Sequence, residues 1–398
     1  MVATLPGAPP GTLPSIRVLR SGNARPTRAW ITLLASGLTA GCSATPDLAQ
    51  PSRWHLVEDW RVGTTKEGPE EFGRINSILV DHRGQLWATD VTAQVIRVFD
   101  STGKFVRTVG RRGSGPGEFV GVTGMIQGPE GTIWVQDPRN VRLTGFDEDG
   151  RFATQVSAPT MGFGYAGAGG ADSAGRIWED FRTADSTGRT IIVRYRRFEP
   201  GMARADTEDL ATCKIPTNRP EPRVLQSRRG GATIPFQPTA VTAVDFNGQL
   251  ACIPWTAEYS GVILDLLNGD TLVRFHHRAA MIPVRQAARD SAIAELTKFG
   301  KELGAEFSPA TVPTEQPPIV WLHFDDGGRL WVQRITALGR TEFDRFDRTG
   351  RLEATITTPV SPGYASPVFR GDRVYFVVEG QDGVPQVVRL RIERSPSS

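Results

Sequence analysis

Between residues 78 and 157 the apolar positions come in short runs, each near-alternating with polar residues and each closed by a turn signal. Ile78-Leu79-Val80 runs into Asp81-His82-Arg83-Gly84, and Leu86-Trp87 follows at once. A polar gap comes next, then an apolar run ending Phe99-Asp100, then Gly103 and a last run from Phe105. Short alternating runs rich in Val, Ile, Phe and Trp predict strands, not helices. The Asp-x-x-Gly groups between them predict hairpin turns, with glycine supplying the positive φ.

The pattern repeats. Gly63, Gly68, Pro69, Glu71, Phe72, Gly84, Trp87, Asp90, Phe99, Asp100, Gly103 and Phe105 recur 47 residues later as Gly110, Gly115, Pro116, Glu118, Phe119, Gly131, Trp134, Asp137, Phe146, Asp147, Gly150 and Phe152. A period in this range marks one supersecondary unit used many times. The Gly84 position returns at Gly131, Gly175, Gly248, Gly328 and Gly371, which makes six copies. Six units of four strands predict an all-β chain, a six-bladed β-propeller of four-stranded antiparallel blades. A ring of blades leaves few exposed strand edges. Trp87, Trp134, Trp178 and Trp331 are expected to pack between blades rather than against a ligand. Ala251 and Tyr375 replace them in blades four and six, where the packing must differ.

The last blade is one strand short. Its runs lie near 366–369, 374–378 and 386–392, whereas residues 54–62 form an apolar, strand-like run ahead of the first full blade. That run is expected to supply the missing outer strand and to staple the termini together.

The spacing between the turn glycines is 47, 44, 73, 80 and 43 residues. Two connections are therefore enlarged, at about residues 198–236 and 278–318. The second carries Ile293, Leu296, Phe299 and Leu303 at helical spacing after Asp290-Ser291, and predicts one inserted helix near 284–304. Both insertions are expected to follow an outer strand and precede the next inner one. The Gly-Pro-x-Glu-Phe loops at 68–72 and 115–119 occupy the same kind of junction. Such connections all leave a propeller on one face, around the channel mouth, and long loops on a rigid scaffold commonly carry binding. The opposing expectation is a helix that only plugs the channel.

Charge changes the picture once the N-terminus is set apart. Arg17, Arg20, Arg25 and Arg28 stand in residues 1–41 with no acid, and removing them takes the formal charge from +3 to −1. Nothing in the remainder points to nucleic acid. Those arginines precede an uncharged, mainly apolar run at 29–40 that is too short for a stable span. It ends Leu38-Thr39-Ala40-Gly41-Cys42, which resembles a bacterial lipoprotein signal with its lipobox. The resemblance implies a signal peptide at 1–41, a lipidated Cys42, a tether at 42–53 and a propeller at 54–394 with a polar tail at 395–398. The position after Cys42 is Ser43, not Asp, so the protein is expected in the bacterial cell envelope at the outer membrane, its membrane partner reached through the lipid anchor.

Cys213 and Cys252 remain. An oxidising compartment permits a disulfide between them; the other reading is two inert buried thiols. No Cys-x-x-Cys or nearby histidine supports a metal or nucleophilic role.

The repeat, with its Gly-x-Gly-Pro-Gly-Glu-Phe loop at 113–119, resembles NHL-type repeats of bacterial six-bladed β-propeller lipoproteins. The likeness spans most of 54–394 and is clearest in blades one, two and five. The wider class holds ligand-binding and scaffold proteins and a few enzymes, including peptide-amidating lyases and relatives of lactonases. The fold alone implies none of these activities.

Catalytic chemistry in a propeller channel needs converging carboxylates, amides or imidazoles. Equivalent inner-strand positions hold Asn76, Thr123, Gly167, Ala240, Val320 and Gly363 in one ring and Leu79, Ile126, Gly170, Ala243, His323 and Ser366 in another. Neither resembles a Ca²⁺ or Zn²⁺ cage, so no metal and no cofactor is expected. His323 stands alone, either a structural histidine or a single polar group at a ligand face. His276 and His277 are adjacent on an expected outer strand and point apart. Arg111, Arg112, Arg228 and Arg229 lie in loops expected on the binding face, where they could meet anionic groups on a small ligand, glycan, peptide or protein. Glu118 could instead neutralise Arg111 or Arg112 locally. The reading favoured is a non-enzymatic binding or scaffold propeller. The alternative is a propeller hydrolase or lyase, lactonase-like or peptide-amidating-lyase-like.

Overall fold

The computed structural model describes residues 51–157, 169–184, 191–198, 212–214, 219, 224–227 and 230–394. The expected signal peptide, Cys42, most of the tether, Arg228, Arg229 and the polar tail lie outside the described residues.

Blade one shows the building rule. Its strands are Ile78–Val80, Leu86–Asp90, Val95–Phe99 and Phe105–Val109, joined in simple order by antiparallel pairing. The first hairpin turns at Gly84, whose φ of +77° suits a residue without Cβ. The Asp81 carboxylate then holds the turn. Its Oδ1 accepts the backbone N–H groups of Arg83 and Gln85 at 2.9 and 2.8 Å. Its Oδ2 accepts the Trp87 indole N–H at 2.8 Å. Asp172–Trp178 and Asp325–Trp331 repeat this bond at 2.9 and 3.1 Å. The three indoles are fully buried, as interblade packing demands.

The same four-stranded meander recurs in blades two (Met125–Gln127 to Phe152–Ser157), three (Gly169–Ala171 to Thr212–Lys214), four (Val241–Val244 to Thr271–His276) and five (Ile319–Phe324 to Leu352–Thr357). A sixth unit is made of Val368–Arg370, Arg373–Glu379, Pro385–Arg394 and the N-terminal strand β1, Ser52–Val62. β1 pairs antiparallel with Pro385–Arg394, from Trp54 opposite Arg394 to Val62 opposite Val387. The chain ends are thus joined in one blade, as the missing strand led one to expect. First strands of successive units lie side by side, and that of the sixth lies against that of the first. Blades five and six meet through Phe369, which packs on Trp331 with ring centroids 4.5 Å apart. Core clusters accordingly straddle neighbouring blades, one of them joining Trp54 and Leu56 of β1 to Trp331, Phe343 and Phe376.

The enlarged region at 198–236 divides differently from the sequence expectation. Thr212–Lys214 pairs with Ile191–Phe198 and is the outer strand of blade three, so Cys213 belongs to the blade and not to the insertion. Pattern alone missed this strand because three residues carry no readable period. Cys213 is bridged to Cys252, on the second strand of blade four, with Cα atoms 5.8 Å apart. The inserted structure is a hairpin, Val224–Ser227 with Gly230–Thr233. The second insertion holds helix α1, Gln286–Leu303, ended by Gly304 at φ +68°. Among the described residues no helix is long and apolar enough to cross a membrane.

Candidate functional site

Strand order fixes two faces. Each blade's first strand runs toward the Asp-x-x-Gly hairpins, and its outer strand returns from a second hairpin at the same end. The other end carries the loops between middle strands and the connections to the next blade. The two insertions therefore leave on one face, called here the insertion face, and the Asp-x-x-Gly turns form the hairpin face.

The insertions pack on each other. Leu296 of α1 joins Leu225, Ile234 and Val312 in a small separate core, flanked by Phe236, Ile293, Phe299 and Phe307. At the base of the second insertion Ile282 and Pro283 pair with Gln316 and Glu315. The result is a raised, self-supporting structure on the ring. Next to it Gly339, in the middle hairpin of blade five, lies against Arg285 at the start of α1.

Two loops expose large apolar groups. Leu338 is 75% exposed and Tyr364 is 93% exposed, well beyond every other large apolar side chain described. Leu338 sits in the turn of Leu330–Ile335 and Thr341–Phe346, and Tyr364 in the connection from blade five to blade six. Both belong to the insertion face. On the same face a shallow depression of about 610 Å³ is lined by Glu258, Tyr259, Ser260, His276, His277 and Arg278. Its floor is rigid. Tyr259 donates its hydroxyl to Asp344 at 2.8 Å, and Arg334 and Thr355 also bind that carboxylate, at 2.6 and 2.8 Å. Burial, with the Asp344 charge beside it, holds the Tyr259 hydroxyl well above the usual phenol range, so it stays protonated. Glu258 pairs with Arg219.

Among the described residues, Arg111, Arg112 and Glu118 stand in one loop and His323 stands elsewhere. Arg111 is paired to Glu118 at 2.7 Å, and Glu118 also accepts the Gly115 N–H at 2.8 Å. The Gly115 N–H and then Arg111 hold this carboxyl below its usual range. Arg112 donates to the Thr92 carbonyl at 2.7 Å. Arg111 and Glu118 are thus spent on each other, and Arg112 on blade one. Arg142 completes the Gly-Pro-Gly-Glu-Phe loop by donating to the carbonyls of Ser114, Gly115 and Glu118 at 2.9, 2.8 and 2.6 Å. His323 is buried between blades five and six, against Phe369 and Phe343, with Nε2 3.1 Å from the Gln333 side-chain oxygen. Burial lowers its pKa to about 4, so it is neutral at pH 7. Among the described residues no three His, Cys, Asp or Glu side chains cluster as a metal site. His276 and His277, set aside in the sequence, flank the depression. The signal that could have found it is their place where the outer strand of blade four ends and the insertion begins.

A family model, DUF5128, described as a 6-bladed beta-propeller, matches residues 82–150. Among solved structures, a member of the duf4221 family from Bacteroides vulgatus is 10% identical, covers 87% of this chain and 100% of its own, and superposes with a TM-score of 0.50. The Bacteroides fragilis protein BF0058 is 12% identical, with 86% and 99% covered and a TM-score of 0.49. Virginiamycin B lyase from Staphylococcus aureus is 14% identical, with 85% and 99% covered and a TM-score of 0.40. This chain has a β-propeller fold. The likenesses concern the fold alone, since function resides in sites and not in the scaffold. No curated protein matches the chain.

Proposed function

We propose that the protein is a cell-envelope lipoprotein whose six-bladed propeller is a non-enzymatic binding or scaffold module, anchored through Cys42 and binding through the insertion face. One observation carries this reading. β1 runs parallel to Leu352–Thr357, so it begins at the hairpin face with Ser52 and ends at the insertion face with Val62. Cys42 precedes that start by only ten residues. The first strand of the ring therefore starts on one side, and the insertion core with Leu338 and Tyr364 stands on the other. Large exposed apolar groups on a binding face commonly serve interaction. The Cys213–Cys252 bridge supports an oxidising compartment.

The anchor is tested by expressing the precursor in a Gram-negative host with labelled fatty acid. The wild type is expected to take up label and fractionate with the outer membrane, and Cys42→Ser to lose both. Equal labelling of the two forms refutes the anchor. The binding face is tested by screening the purified protein against glycans, peptides and envelope proteins. Leu338→Asp and Tyr364→Asp should abolish whatever binding is found, while Phe152→Asp on an outer strand leaves it intact. In parallel, lactone, ester and amidated-peptide substrates are assayed with and without Ca²⁺ or Zn²⁺. Metal-dependent turnover lost on substitution at the insertion face would replace the binding reading with the hydrolase or lyase.

A further inference from the structure

On the hairpin face, at the seam of blades five and six, lies a cavity of about 680 Å³ that no sequence motif announces. It is lined by Arg329, Arg345, Arg391, Arg394, Asp372 and Glu393, together with Gly371 and Ile392. Four guanidinium groups face two carboxylates, and both carboxylates are engaged. Asp372 binds Arg373 at 2.5 Å, outside the cavity, and Glu393 binds Arg391 at 2.6 Å. Arg329 and Arg394 have no acidic partner within ion-pair distance among the described residues.

The arrangement is built, not a loose surface cluster. Arg345 is only 5% exposed. Its guanidinium lies over the Trp54 and Trp331 rings, 5.1 and 5.5 Å from their centroids, with Nε 3.0 Å from Glu353. Arg394 covers Trp54 at 5.2 Å, so one indole positions two of the guanidinium groups. Burial, opposed by Glu353 and Asp325 and reinforced by the charges of Arg329 and Arg394, pulls the Arg345 pKa below its ordinary value. A buried cation with like charges beside it is relieved by an incoming anion. Gly371, with nothing within 4 Å of the place a Cβ would take, keeps the wall open.

We propose that this cavity binds a phosphate-bearing anion. Guanidinium forks match the oxygens of phosphate, and the volume falls in the range of small-molecule sites. The favoured source is the headgroup of an anionic lipid, because Trp54, whose ring lies under Arg345 and Arg394, is two residues from Ser52, the first residue of β1. That choice of source rests on the anchor proposed above; the anion site itself does not.

The test uses the chain carrying Cys42→Ser, which bears no acyl group, so its result is independent of the fatty-acid labelling. Three probes are titrated at moderate salt: phosphatidylglycerol vesicles, phosphatidylcholine vesicles and inorganic phosphate. Binding to phosphatidylglycerol but not phosphatidylcholine is expected, weakened about fivefold by Arg329→Gln and again by Arg394→Gln. Arg340→Gln, exposed on the insertion face, should leave it unchanged. Inorganic phosphate binding as tightly as the vesicles, with the same dependence on Arg329 and Arg394, would keep the site and make its source soluble phosphate. Equal losses for all three variants, or binding to none of the probes, would overturn the proposal. Circular dichroism of each variant checks that the fold is kept.

Discussion

At the first hairpins of blades one, three, four and five a single carboxylate binds two backbone N–H groups and, where a tryptophan follows, its indole. Blade two lacks the acid: Gly128 stands in the Asp position, while Trp134 keeps its place in the core. Trp87→Phe therefore orphans a buried carboxylate oxygen, whereas Trp134→Phe does not. The first should destabilise by about 1–3 kcal/mol more than the second in denaturant titration; equal losses would show that the indole bond adds nothing. Blade four has the acid without the indole, because Ala251 replaces tryptophan, and burial there raises the Asp245 pKa despite the Asn247 and Gln249 donors. His323 makes the other residue-scale prediction. Its folded pKa of about 4 lies below the unfolded value of 6.5. The unfolded chain thus binds the extra proton between these values, and stability falls as pH drops from about 6.5 to 4. The full loss is about 3 kcal/mol. Unfolding measured from pH 7.5 to 4.5 should show a slope that His323→Gln removes. An unchanged slope in that variant would place the pH sensitivity elsewhere.

At the scale of elements, the ring depends on β1. Its apolar side chains enter the core, and its Asp59 is held by three arginines of the sixth blade, Arg373 at 2.9 Å, Arg389 at 3.2 Å and Arg391 at 3.6 Å. Glu58, by contrast, pairs with Arg61 on its own strand at the surface. Asp59→Asn should cost about 2 kcal/mol and speed amide exchange along β1, while Glu58→Gln should cost under about 1 kcal/mol. Similar small effects for both would mean that Asp59 does not fasten the strand. The Cys213–Cys252 bridge is a second fastener, closing a 39-residue separation between blades three and four. Chain-entropy reasoning gives it about 3–4 kcal/mol.

At the scale of the whole molecule, the blades were legible because Gly, Trp and Asp recur at fixed spacing wherever a turn needs positive φ or a seam needs an indole. The closing strand and helix α1 could be read for the same reason, one as a missing fourth strand and the other as a change of period. The Arg-lined cavity could not. Trp54, Arg329, Arg345 and Arg394 come from distant parts of the chain and meet only when the ring closes. Tyr364 and Leu338 were equally silent, since exposure is a property of packing and not of pattern. The Arg111–Glu118 pair shows the converse: charges conspicuous in sequence are used to hold their own loop. The central claim is that the ring has an anchored face and an opposite binding face. Single photo-crosslinking residues at Thr102 and Asp372 on the hairpin face, and at Leu338 and Tyr364 on the insertion face, test it most directly in the lipidated protein on vesicles of labelled lipid. Lipid adducts at 102 and 372 with none at 338 and 364 are the predicted result. Adducts at 338 and 364 instead would contradict the account.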